Sequence, residues 1–137
     1  MRVALLAAGL VSSAVGWAAL GPFTAGDRDE VFEIPKGTWA RRMAGDKVDI
    51  LPSEVRLVLG VKDVLVLRNS DDVPQVFGPT LMMPGQSFRL PFEMASSYQF
   101  ACTAHSSGQM TVTVEPEPAL GLERLEWRAR ALMRSWT

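Results

Sequence analysis

The chain has 137 residues, 47% of them hydrophobic and 21% charged, with a formal net charge of −1. These values fit one folded domain with short appendages, exclude a largely disordered chain and give no basic field for nucleic acid. A single cysteine excludes an internal disulfide, and the single histidine lies three positions from it, at Cys102 and His105.

Residues 1–23 are read as an N-terminal membrane-anchor or signal helix. Val3 to Phe23 carries no charge, and ~20 residues of helix suffice to cross a hydrocarbon core. Ala8, Ser12 and Gly16 recur at i, i+4 and i+8, a small-residue stripe that lets a second membrane helix approach. Trp17 stands near the outer end, where tryptophan anchors helices at the interface. Arg2 on the short side places the N-terminus in the cytoplasm and the main domain outside, in the periplasm. Gly16-Trp17-Ala18 also has the form of a cleavage site, so an exported, cleaved periplasmic protein stays open as the alternative.

Residues 24–30 read as a polar connector after Gly21-Pro22. Across 31–115 the pattern becomes β-like. Val55, Leu57 and Leu59 alternate; so do Tyr98, Phe100 and Cys102, and Met110, Val112 and Val114. Val64 to Leu67 is a continuous apolar run, as in a strand buried on both faces. Short strands at this spacing, with no convincing helix between them, predict a mainly β sandwich or barrel.

Tyr98 to Met110 carries the chemistry. A strand delivers Cys102, a turn presents His105, and Met110 opens the next strand. Thiolate, imidazole and thioether at one end of a sandwich are the donors a blue-copper site uses: soft sulfur for Cu(I), nitrogen for Cu(II) and a weak axial sulfur. Met82, Met83 and Met94 are further thioethers within the domain, read mainly as core or contact side chains.

The same residues carry a family resemblance. Pro84-Gly85-Gln-Ser-Phe88, Tyr98-x-Phe100-x-Cys102, the Cys-x2-His-x4-Met spacing and Val64-Leu-Val-Leu-Arg-Asn69-Ser-Asp71 together resemble the cupredoxins, the blue-copper family of plastocyanin and azurin, over roughly Val31 to Val114. The resemblance implies a Greek-key β-sandwich of seven or eight strands, with Cys102, His105 and Met110 as metal ligands. It also implies a first histidine after the Asn-x-Asp turn. Val73-Pro74-Gln75-Val76 has glutamine there, so Gln75 replaces an equatorial imidazole with a harder amide oxygen. Three readings stay open: a copper-free domain, a copper site completed by Gln75, water or a partner, and a Cu(I)-only site. Cys102 and His105 could also pair as nucleophile and base, but no third orienting group stands near them, and no enzyme is expected.

Residues 116–137 read as a proline linker followed by an amphipathic helix. Leu122, Leu125, Ala129, Leu132, Met133 and Trp136 form its apolar face, suited to a membrane surface or a groove on another protein. Anchor, sandwich and tail together predict an extracytoplasmic accessory subunit of a respiratory or photosynthetic membrane complex, stabilising the assembly or docking a donor. The expected partners are other subunits, membrane lipid and a soluble electron carrier, not nucleic acid. The alternatives are an anchored copper electron-transfer protein and a Cu(I)-handling protein.

Overall fold

In the computed structural model, residues 2–23 and 26–134 are described, with side chains from residue 11 onward. The chain divides into two compact units, residues 25–116 and residues 1–24 with 117–137.

Unit 25–116 is built from eight strands and a short helix. Sheet one consists of β1 (Asp29–Ile34), β3 (Val64–Asn69) and β6 (Ser87–Pro91), in the order β1-β3-β6. Sheet two consists of β2 (Glu54–Val58), β7 (Ser96–Ala101) and β8 (Gln109–Glu115), in the order β2-β8-β7. β4 (Gln75–Phe77) and β5 (Thr80–Met82) form a separate hairpin. Gly78, at φ +54°, supplies the left-handed first position of its two-residue turn, and a Cβ there would stand 3.1 Å from the Phe100 ring. Both sheets are mixed. β1 runs parallel to β3 and β2 parallel to β8, while β3–β6 and β7–β8 are antiparallel.

The hydrophobic pattern explains the layers. Val55 and Leu57 of β2 and Met110, Val112 and Val114 of β8 turn inward, as their alternation requires, to meet Ile34, Leu65 and Leu67 of the first sheet. Phe77 fills the space at the hairpin end, its ring 4.8 Å from that of Phe100 and 6.0 Å from that of Phe88. The continuous run Val64–Leu67 is buried throughout, because β3 is central and both its faces are covered. On the outer face an ion pair crosses it: Arg89, opposite Val66, reaches Asp29, opposite Val64, at 2.6 Å.

Two details differ from the sequence reading. β1 begins at Asp29, inside the stretch read as a connector, since Asp29 and Glu30 pair with Val64 and Leu65. A helix, α2 (Thr38–Met43), stands between β1 and β2. It is too short to show an amphipathic period, and Asp71, distant in sequence, supplies its N-terminal hydrogen-bond acceptor.

The other unit pairs α1 (Arg2–Leu20) with α3 (Leu122–Arg134). The N-terminal apolar segment is therefore helical as expected. Among the described residues no helix is long and apolar enough to cross a membrane, and the spanning assignment rests partly on residues 2–10, whose side chains lie outside those described.

Candidate functional site

The turn joining β7 to β8 is closed by backbone bonds. Cys102 N donates to Gly108 O at 2.9 Å, and Gly108 N to His105 O at 3.2 Å. Cys102, His105 and Met110 are all buried at this end of the sandwich. The His105 amide donates to Cys102 O at 3.3 Å, and the backbone amides of Ala104 and His105 favour the thiolate of Cys102. Burial nonetheless prevails and pushes the thiol above its ordinary value, with the charge of Asp49 adding to the rise, so Cys102 rests as a neutral thiol.

His105 Nε2 lies 3.0 Å from both Leu51 O and Pro52 O. Carbonyls only accept, so Nε2 carries a proton, and in the neutral ring Nδ1 holds the free lone pair. That Nδ1 is buried without a hydrogen-bond partner. The turn is clasped from outside by Asp49, which accepts from Ser106 N at 2.7 Å and from Ser106 Oγ at 3.0 Å. Arg42 of α2 donates to Ala104 O at 2.7 Å and pairs with Asp49 at 3.5 Å. The Ser106 amide bond first, with smaller contributions from the Ser106 hydroxyl, the nearby His105 ring and Arg42, holds the Asp49 carboxyl below its ordinary range against a partial opposing effect of burial.

Gln75 is 1% exposed and has no free amide group. Its Nε2 donates to Asp71 at 3.0 Å, and its oxygen accepts from the Thr103 hydroxyl at 2.6 Å. Asp71 also accepts from Gly37 N, Trp39 N and Asp72 N. Burial pushes this carboxyl up, but the amides of Trp39, Asp72 and Gly37 with the Gln75 amide outweigh it, and the net shift is downward. Asn69 completes the frame by donating to Val73 O and Met82 O and accepting from Asp71 N.

A complete type 1 copper site takes a thiolate and two imidazoles around the metal. The chain has one histidine, and the side chain in the second position is committed on both sides to Asp71 and Thr103. The residues present therefore do not fit a complete type 1 site. What they offer is three buried soft or borderline donors, Cys102, His105 and Met110. Among the described residues, no group of three or more histidine, cysteine or carboxylate side chains could hold a metal.

The other methionines separate. Met82 is in the core, and Met83 is exposed beside the turn after β5. Met94 precedes β7, whose length of roughly 20 Å at ~3.3 Å per residue sets it at the opposite end from Cys102, so it cannot join the donors. Sequence reading missed Arg42, Asp49 and Thr103. Asp71 had a signal in the Asn-x-Asp turn, whereas nothing near Arg42 or Asp49 in the sequence marks them.

The chain is similar to cupredoxins of solved structure. A purple cupredoxin from Nitrosopumilus maritimus aligns at 20% identity and a TM-score of 0.47, over 64% of this chain and 100% of that one. Amicyanin from Paracoccus versutus aligns at 20% identity and a TM-score of 0.46, over 67% and 86%. An amicyanin variant in its Cu(I) state aligns at 20% and 0.44, over 67% and 87%. No family model and no curated protein matches the chain.

In the other unit, Ser12 has an interaction of its own, and a Cβ on Gly16 would meet nothing within 4 Å. Leu122, Ala129 and Leu132 are exposed and Leu125 is half-buried. The expected contacts of Ala8 and Trp136 lie outside the described side chains.

Proposed function

We propose that the chain is an extracytoplasmic accessory subunit of a membrane-bound electron-transfer complex, with a cupredoxin-like domain that lacks a complete type 1 copper site. One observation carries the reading: Gln75, at the position of the expected second imidazole, is a structural tie between Asp71 and Thr103. A side chain with both amide groups satisfied in a buried place stabilises the loops more than it offers a ligand. The domain then serves to stabilise an assembly or dock a donor. Gentle solubilisation followed by metal analysis of the purified assembly tests this. The expected result is substoichiometric copper with a large co-purifying complex. Stoichiometric copper with a visible thiolate-to-copper band would replace the reading with an anchored electron carrier.

A second reading has its own support in the bare, buried Nδ1 of His105. Together with Cys102 and Met110 it makes a donor set soft enough for Cu(I). On that reading the protein handles Cu(I), and a competition titration against a Cu(I) chelator would show one tight site without a visible band.

A further inference from the structure

α3 is turned the opposite way from an ordinary surface helix. The side facing α1 is formed by Arg124, Trp127, Arg128 and Ala131, buried or half-buried, while Leu122 and Met133 on the predicted apolar face are 77% and 65% exposed. Glu123, Glu126 and Arg130 form a third, charged side. Arg128 donates to Trp17 O, Ala18 O, Gly21 O and Pro22 O, Arg124 donates to Gly21 O, and Gly121 N donates to Ala19 O. These include carbonyls at the C-terminal end of α1, which a helix leaves without internal partners. Both guanidinium groups also lie over the Phe23 ring, at 4.6 and 5.1 Å.

In water this arrangement has its costs reversed: arginines are withdrawn and leucines presented. In hydrocarbon it is sound, because an uncapped helix end finds no water there to satisfy its carbonyls, and exposed leucines cost nothing. We propose that α3 lies in the headgroup–acyl boundary of a lipid bilayer, its Leu122–Met133 stripe in the acyl region, clamped by Arg124 and Arg128 to the outer end of α1. The occupant is lipid rather than protein on two grounds. Exposed apolar side chains are also present on α1, where Val11, Val15, Trp17 and Leu20 stand on different sides of a segment without charges, as a helix surrounded by acyl chains allows. α3 also carries four arginines against two glutamates, which favours anionic headgroups. The inference rests on the reading of the chain as membrane-attached and makes the tail part of the anchor.

The test uses the full chain in Cys102→Ala background, reconstituted in phosphatidylcholine–phosphatidylglycerol vesicles, with Met133→Cys, Leu122→Cys or Arg130→Cys as the only thiol. A membrane-impermeant maleimide is expected to label the first two about tenfold slower than the third, since a thiol among acyl chains is screened from the reagent. Equal rates in chains that float with the vesicles after an alkaline wash overturn the inference and leave membrane attachment standing. Equal rates in lipid with protection only in native membranes overturn it in favour of a protein partner. Chains that fail to float overturn both this inference and the attachment reading.

Discussion

The Thr103 hydroxyl donates to the Gln75 amide oxygen at 2.6 Å while itself accepting from Val76 N at 2.9 Å. β4 is thereby tied to the turn that carries Cys102 and His105. The tie is reinforced by backbone, with Thr103 N donating to Val76 O at 3.1 Å and a bridge between Phe77 and Cys102. Position 75 is therefore held beside the donor turn by bonds that do not depend on its side chain, which makes it the place to restore a ligand.

Gln75→His is expected to give a visible thiolate-to-copper band on addition of Cu(II), and the unmodified chain is expected to give none. The exchange removes the amide bonds to Asp71 and Thr103 and should lower stability by about 1–3 kcal/mol. Absorbance titration with Cu(II) and urea unfolding read the two effects. A colourless variant of undiminished stability would mean that the imidazole has taken over the amide's hydrogen bonds and does not face the donors.

How much of this was legible beforehand divides by the range of the interactions. Alternation in β2, β7 and β8 and the apolar run of β3 follow from local pattern, so the sandwich could be read. That Cys102, His105 and Met110 flank one buried turn could be read as well, because they lie within nine positions. The clasp of Arg42 and Asp49 on the turn could not: each is more than 50 residues from its partner there, and a lone arginine or aspartate in a loop has no pattern. The facing of α3 was also hidden. Its leucine spacing marks an apolar face, but only the free carbonyls at the end of α1 explain why the arginines turn inward.

Acid should destabilise the domain below about pH 4, the ordinary carboxylate range. Asp49, Asp63 and Asp71 are all held below their ordinary values, Asp63 chiefly by the side chain of Arg28, which outweighs burial. Each depressed carboxyl contributes stability that is full above its unfolded pKa and lost as pH falls through its folded one. The melting temperature should stay level from pH 7 to pH 5 and then drop. Asp71→Ala, which strands the buried Gln75 amide and the partly buried N–H groups of Gly37 and Trp39, should cost about 2 kcal/mol at neutral pH and flatten the acid limb. An acid limb of unchanged depth in that variant would remove Asp71 from the account.

Cys102 should be inert in the folded protein. Its sulfur is buried and its thiol held protonated by burial, and the thiolate is the reactive form. Reaction with a disulfide reagent at pH 7 should proceed at the rate of global opening and become fast only in denaturant. Rapid stoichiometric reaction in native buffer would show that the turn opens readily and that the three donors are not held in place.

Asp49→Ala should loosen that turn without harming the sandwich. The carboxylate holds Ser106 through both amide and hydroxyl and anchors Arg42, yet contributes nothing to the apolar core. Losing a partly exposed acceptor of two bonds should cost about 1–2 kcal/mol locally. Exchange of the Ser106 amide and its neighbours should then quicken by about tenfold or more, while the amides of β3 and β8 keep their protection. Because the clasp also restrains His105, the variant separates the two readings of the domain. A scaffold should keep its partners with the loosened turn, whereas a Cu(I) site that depends on the fixed Nδ1 should lose affinity in the chelator competition. Retention of both partners and Cu(I) affinity, with exchange unchanged, would mean that Arg42 and the backbone alone set the turn.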